Sequence, residues 1–215
     1  MVSAPDPKQI VREGYDLLGD AYRIERFGND DRVYRRWLAK LDQHLAPNSR
    51  VLDLGCGYGV PASRWLARKH RVVGVDGSSV QLGRAKFLVP GVPFVQADMT
   101  DVEFRGGGFD AVVSMYAIIH VPLADQPALF HRIAEWLTPS GWFMGTLGWR
   151  EWTGIERDWL GVEGATMYWS HAAADRYRAW LEGAGLAVVE EAVEPEGEGG
   201  FSAFLAQRRS PGVGA

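Results

Sequence analysis

One cysteine, Cys56, in 215 residues leaves no internal disulfide and too few thiolates for a metal centre. Disulfide scaffolds and thiolate-rich zinc or iron–sulfur roles are excluded, no metal is expected, and a reducing cytoplasm is the expected compartment. Basic residues form no block: 23 Lys and Arg stand against 27 Asp and Glu, for a net charge of −4. Such a balance gives no attraction along a phosphate backbone, so nucleic acid is not an expected partner. Also missing is any run of about 18 apolar residues, which a spanning helix needs. The start, Met1 to Gln9, carries prolines and charges where an export signal would have an apolar core, so neither membrane nor secretion is expected. What remains is a composition of 47% hydrophobic residues with 26 glycines, typical of a soluble globular chain long enough for one core. Six of the nine tryptophans lie beyond Thr138, which suits an aromatic pocket or core filling.

The hydrophobic period switches repeatedly along the chain. Ile10, Tyr15, Leu18 and Tyr22 mark one helical face, and Val33, Trp37, Leu41 and Leu45 another that Pro47 closes. Arg50 to Leu54 reads as a strand ending in Gly55-Cys56-Gly57-Tyr58-Gly59, with Pro61 opening a helix that runs to Lys69. The unit recurs. Arg71 to Val75 is a second strand, Ser78 or Ser79 caps a helix toward Phe87, and Val92 to Val95 is a third strand. Phe109 to Met115 is a fourth, Leu123 to Leu137 a helix ended by Thr138-Pro139-Ser140-Gly141, and Trp142 to Leu147 a fifth. Trp149 to His171 shows little periodicity. A helix over Ala172 to Gly183 follows, then two extended runs, Leu186 to Val193 and Phe201 to Gln207, around a glycine-rich turn. Strands alternating with helices predict a doubly wound, mostly parallel α/β sheet, and the last pair predicts an antiparallel strand inserted at one edge.

In such sheets ligands bind outside the carboxyl ends of the strands, and three carboxylates fall there. Asp53 precedes the glycine loop, whose backbone passes close to a ligand. Asp76, at the end of the second strand, is placed to accept two ribose hydroxyls. Asp98 follows the third strand and can accept an exocyclic adenine amine while Met99 packs on the base. The loop spacing departs from the dinucleotide fingerprint, because Val60 stands where that pattern has its third small residue. An acid at Asp53 repels a diphosphate and welcomes an ammonium, which points to adenosine joined to an amino acid.

Val51-Leu52-Asp53-Leu54-Gly55-Cys56-Gly57-Tyr58-Gly59, Gly74-Val75-Asp76-Gly77-Ser78 and Ala97-Asp98-Met99 together resemble the class I S-adenosylmethionine-dependent methyltransferases. The resemblance continues through Phe109 to Met115 and Leu137 to Trp142, where the family has a Pro-Gly-Gly turn and this chain has Ser140. Tyr15-Asp16, Tyr22, Ile118-Ile119-His120-Val121-Pro122, Asp158 to Gly161 and Met167 to His171 are similar to a bacterial group of small single-domain enzymes acting on small molecules. The chain departs from that group at Ala203, where a tryptophan is usual, and at Ala172 to Ala174. The resemblance implies a Rossmann-like seven-stranded sheet in one domain: residues 1–48 form helices over the cofactor cleft, 49–147 the cofactor-binding core, 148–171 an aromatic insert near the acceptor, and 172–209 the closing helix and hairpin. It implies S-adenosylmethionine as cofactor, held by Asp53, Gly55, Cys56, Gly57, Asp76, Gly77, Gln81, Asp98, Met99 and Met115, with Tyr15 and Tyr22 closing the cleft.

Methyl transfer from a sulfonium has a good leaving group, so the protein aligns the partners, excludes water and, for a hydroxyl acceptor, removes a proton. Histidine suits that proton, and His120, past the fourth strand, and His171, ending the insert, are the candidate bases; each is also placed to cap a helix. His44, His70 and His131 read as surface positions. Tyr116, Trp149, Trp152, Trp159 and Trp169 are expected to wall an aromatic acceptor, core filling being the alternative. The expectation is O-methylation of a hydroxylated or aromatic small molecule by a monomer or homodimer. The alternatives are N- or C-methylation, intramolecular cyclisation of the same donor, a nicotinamide dehydrogenase, and an adenosine-ligand module without turnover.

Overall fold

The computed structural model describes residues 5–19, 21–24, 32–196 and 199–210. In chain order the helices are α1 (Pro7–Leu18), α2 (Ala21–Ile24), α3 (Arg32–Asp42), α4 (Ala62–Leu66), α5 (Ser79–Leu88), α6 (Gln126–Trp136) and α7 (Ala174–Gly183). The strands are β1 (Arg50–Leu54), β2 (Arg71–Asp76), β3 (Phe94–Gln96), β4 (Phe109–Ser114), β5 (Leu137–Gly148), β6 (Trp152–Glu156), β7 (Met167–His171), β8 (Leu186–Glu196) and β9 (Gly199–Arg208). Seven of them form one sheet in the order β3-β2-β1-β4-β5-β9-β8, the Rossmann-like arrangement expected. The β1, β2, β3, β4 and β5 pairings are parallel, and β9 runs against both β5 and β8. The last strand thus inserts between β5 and β8.

Alternation along the strands sends side chains to both faces, and each face has its own core. Leu52, Leu54, Val112, Phe143 and Phe204 pack under α6 and α7 with Phe130, Ile133, Tyr177 and Leu181. Val51, Ala111, Val113, Met144 and Leu205 pack under α3 and α4 with Trp37, Leu38, Leu41 and Leu66. Each fully buried side chain of this kind contributes about 1.5–3 kcal/mol. Glu194, on β8, is 4% exposed because α3 supplies its partners: Trp37 Nε1 donates to Oε1 at 2.7 Å and Arg36 pairs with the same oxygen. The acids of β8 are therefore partly docking points for the neighbouring helices: α3 also sets Lys40 on Glu190, and α7 sets Arg178 on Glu191.

Several expectations are corrected. The third strand begins at Phe94 rather than Val92, and α6 begins at Gln126 rather than Leu123, with Pro127 in its first turn. Thr138 to Gly141 is a bulge within β5 rather than a free turn, since Leu137 pairs with Phe109 and Trp142 with Ala111. The segment without periodicity contains a separate antiparallel hairpin, β6 with β7. Its β6 strand is open on both faces, so no alternation is written into it. His70 is buried rather than on the surface, its Nε2 2.9 Å from Asp42 Oδ1. Gly197 and Glu198, in the expected glycine-rich turn, lie outside the described residues.

Candidate active site

The glycine loop is drawn onto β2 by two amides, Gly55 and Cys56, which both donate to the Val75 carbonyl at 2.8 and 2.9 Å. Gly55 has φ +77°, and a Cβ there would meet the Ala117 Cβ at 2.2 Å, so only glycine fits. Gly57, with φ +53°, borders open space instead. Asp53, 1% exposed, accepts the Ser63 hydroxyl. Asp76 accepts the Gly57 amide on Oδ2 at 2.8 Å and the Ser78 amide on Oδ1 at 2.9 Å. Each oxygen keeps further acceptor capacity, which two vicinal hydroxyls would use. Burial pushes the Asp76 carboxyl up, against those amides, which lower it. Burial, with the charges of Asp53 and Asp76, also pushes the Cys56 thiol well up, so it stays protonated and unreactive.

Around these residues lies a cavity of about 590 Å³ at the carboxyl ends of β1 to β4, within the size range of small-ligand sites. Its walls include Asp53, Gly55, Cys56, Gly57, Asp76, Gly77 and Gln81, then Asp98, Met99, Met115 and Tyr116, and from the N-terminal segment Tyr15 and Tyr22. His120 lines it as well. Asp98 accepts the Thr100 amide at 2.7 Å, and its other oxygen is 3.7 Å from Lys8 Nζ.

Helix α1 lies over this cavity and is tied along its length. Lys8 bridges Asp98 and Asp125, each at 3.7 Å. Asp16 accepts the Ser78 hydroxyl and, at 3.2 Å, the Val80 amide, so it caps α5 in trans. Gln81 Nε2 donates to the Tyr15 carbonyl at 3.2 Å. Lys8 and Asp16 were not foreseen from sequence, although with Arg12 and Tyr15 they recur at helical spacing on one polar face.

His120 sits in a short 3-10 turn over Ile118–His120, 6% exposed. Its Nδ1 is 2.8 Å from the Tyr168 carbonyl and its Nε2 3.0 Å from the Tyr15 hydroxyl. A carbonyl only accepts, so Nδ1 carries the proton and Nε2 accepts from Tyr15. Burial pushes the imidazole down to about 4; the Tyr168 bond raises it and His171 lowers it further. His171 is apart from the cavity walls: its Nδ1 donates to the Arg150 carbonyl at 2.6 Å, at the end of β7. The direct proton-transfer role expected for it lacks access to the cleft.

The tryptophans also stand elsewhere than expected. Trp149, Trp152, Trp159 and Trp169 are not among the cavity walls. Trp159 is buried, Trp169 half-buried, and both pack beneath α1 with Leu18 and Met167. Trp149 and Trp152 are 36% and 42% exposed. Of the aromatic residues, Tyr34, Tyr58 and Tyr116 line the cavity with Tyr15 and Tyr22, Tyr58 lying 6.4 Å from Tyr22. Tyr116 has φ +57°, unusual for a bulky residue, and is held there by the Thr146 hydroxyl, which accepts its amide at 2.6 Å. Its ring lies 5.5 Å from Tyr34 and 4.7 Å, edge on, from Phe201. Among the described residues no group of three His, Cys, Asp or Glu side chains is arranged to hold a metal, and no helix is long and apolar enough to cross a membrane.

A Rossmann-like sheet thus presents a glycine loop and two further acids at its strand ends, and a Cβ added at Gly57 or Gly77 would meet only open space. Residues 51–141 match the family model described as a methyltransferase domain. Phosphoethanolamine N-methyltransferase 1 of Arabidopsis thaliana is 38% identical over 104 residues, which are 46% of this chain and 21% of the plant protein. An uncharacterized methyltransferase of Synechocystis sp. is 35% identical over 117 residues, 54% of each chain. The chain thus spans about a fifth to a half of the length of these curated relatives. Among solved structures, 1,6-didemethyltoxoflavin-N1-methyltransferase of Burkholderia thailandensis, bound to its acceptor and S-adenosylhomocysteine, superposes with a TM-score of 0.73 at 19% identity, covering 97% of this chain and 94% of that one. The DhpI complex with S-adenosylhomocysteine gives 0.74 at 20% identity over 95% of this chain and 97% of that one. These last likenesses show the fold. Residues 51–141 thus carry the likeness to a methyltransferase domain, on a fold shared with methyltransferases solved with S-adenosylhomocysteine bound.

Proposed function

We propose that the protein methylates a heteroatom of a small, flat acceptor, first an acidic aromatic hydroxyl. The Tyr15–His120 pair at the cleft wall carries this reading. S-adenosylmethionine, when bound, supplies an electrophilic methyl group on a sulfonium. Asp76 would hold the ribose hydroxyls, Asp98 and Met99 the adenine, and Asp53 with its neighbouring loop the amino-acid end. Tyr34, Tyr58 and Tyr116 would stack on the acceptor and keep water out. A proton leaving the acceptor can be taken at Tyr15 Oη only as the Tyr15 proton passes to His120 Nε2.

With His120 pushed down to about 4, that pair is a weak base. It serves a phenol that ionises readily and does not serve an aliphatic alcohol. The same weakness supports a second reading, methylation of a nitrogen, because an amine attacks as the neutral base and sheds its proton afterwards. The plant relative named for phosphoethanolamine N-methylation supports that reading too.

Incubation with S-adenosylmethionine and a panel of phenols, aromatic amines and aliphatic alcohols, followed by mass spectrometry, tests the proposal. Methylated phenol or amine with S-adenosylhomocysteine is the expected outcome. Turnover of aliphatic alcohols alone contradicts it. Methylthioadenosine would mean cyclisation of the donor, and binding without turnover would mean a module that only holds the nucleoside.

A further inference from the structure

We propose that Trp159 is a positioning residue for donor binding: outside the cleft, it anchors the small core that holds α1, and with it Tyr15, over the cofactor cavity. The inference rests on the donor assignment above. The apolar residues of α1 join neither face of the sheet. Val11, Tyr15 and Leu18 pack instead with Trp159, Ala165, Met167 and Trp169, a third cluster separate from the two main cores. Within it the Trp159 ring lies 5.8 Å from Tyr15, 5.9 Å from Tyr22 and 5.4 Å from Trp169.

The chain goes to some length to present this ring. Asp158 and Leu160, on either side, both have left-handed backbones, with φ +50° and +59°, a conformation that is strained for residues other than glycine. Several bonds hold the turn, among them the Trp159 amide donating to the Ala165 carbonyl at 2.8 Å, the Gly161 amide to the Asp158 carbonyl at 2.9 Å and the Gly164 amide to Asp158 Oδ1 at 2.7 Å. The insert is in turn fixed to the main domain through Gln126, fully buried, whose Nε2 donates to the Ser170 carbonyl at 2.7 Å. A rigid path therefore runs from α6 through the hairpin to the underside of α1.

On its other side α1 touches the cofactor cleft through Lys8, Tyr15 and Asp16. A helix of 12 residues does not persist alone in water, so its order depends on the face it buries. A ligand that binds under α1 loses affinity in proportion to the fraction of molecules in which α1 is docked. Trp159 thereby sets donor retention without touching the donor.

Calorimetric titration of S-adenosylhomocysteine into wild type, Trp159→Ala, Trp159→Phe and Leu18→Ala, with amide hydrogen exchange on each protein, tests this. Trp159→Ala is expected to weaken binding by about tenfold or more and to speed exchange in α1 while the sheet strands exchange as before. Trp159→Phe, which keeps an aromatic ring, should recover most of the affinity. Leu18→Ala removes packing from the helix side and decides the matter if Trp159→Ala fails to fold. Wild-type affinity in both alanine variants overturns the proposal, as does a loss accompanied by faster exchange throughout the sheet. A wild-type protein that does not bind S-adenosylhomocysteine removes the donor assignment instead, so the two failures are distinct.

Discussion

The hydroxyl of Tyr15 lies 3.0 Å from Nε2 of His120, while the opposite nitrogen of that ring is 2.8 Å from the Tyr168 carbonyl. Both imidazole nitrogens are thus committed, one from the lid helix and one from the insert. The ring ties α1 to the insert, and in the reading proposed above it is where the Tyr15 proton goes.

His120 gives the protein a characteristic pH response. Folding lowers its pKa from 6.5 to about 4 through burial. Between those values the unfolded chain binds a proton that the native chain does not, so stability is complete above 6.5 and falls as pH drops through the window. The loss is on the order of 3 kcal/mol at most. Urea midpoints at pH 7, 5 and 4 should therefore decline more steeply in wild type than in His120→Gln. Equal slopes would mean that His120 is not held neutral. Turnover should show no inflection from this ring between pH 6 and 8, and Tyr15→Phe should lower it about 10- to 100-fold.

Asp76→Ala removes the two oxygens proposed to accept the ribose hydroxyls and leaves the Gly57 and Ser78 amides without their partner. Donor affinity should fall by about 1–3 kcal/mol, seen as a rise in the S-adenosylhomocysteine dissociation constant. An affinity equal to wild type would show that the ligand does not reach the end of β2.

The residues that line the cleft could be read from sequence because each lies at or just past the end of a strand in a local pattern: Asp53 with its glycines, Asp76, and Asp98 with Met99. A strand that alternates or runs apolar announces its own end, and the fold puts ligands there. The insert had no such pattern. Trp152 and Ile155 on β6 are 42% and 51% exposed, so neither face is marked as inside. Without that register, Trp159 read as an acceptor wall when it is buried beneath α1. His120 and His171 were equivalent as letters; only the third dimension turns one toward Tyr15 and the other to the Arg150 carbonyl. Tyr116, expected from sequence, does line the cavity, whereas Tyr34, whose ring lies 5.5 Å from it, comes from a segment distant in sequence and needed the fold to bring it there.

Ser140 stands in the bulge of β5 with φ +64°, where the resembling family has glycine. A left-handed serine costs about 1–2 kcal/mol. Glycine avoids that but loses about 0.5–1 kcal/mol to the greater freedom of the unfolded chain. The Ser140 to Ser210 hydroxyl contact, 2.9 Å and exposed, adds little. Ser140→Gly should therefore raise stability by about 0.5–1 kcal/mol in urea titration, and a loss would show that the serine hydroxyl matters more than its backbone.

Gly14→Ala sets two effects of known sign against each other. In an ordinary helix the change stabilises by about 1 kcal/mol, since alanine loses less conformational freedom. Here the new Cβ would lie 2.2 Å from the Thr166 carbonyl oxygen and 3.3 Å from Met167 Cε, at the seam between α1 and the insert. Backbone oxygen cannot step aside as a side chain would, and overpacking of this kind costs about 1–3 kcal/mol. The clash prevails, and the helix should be pushed off the hairpin. Severalfold weaker S-adenosylhomocysteine binding with an unchanged sheet core is the expected result in calorimetry and hydrogen exchange. Tighter binding in Gly14→Ala would mean that α1 is limited by its own helicity rather than by its seat on Thr166.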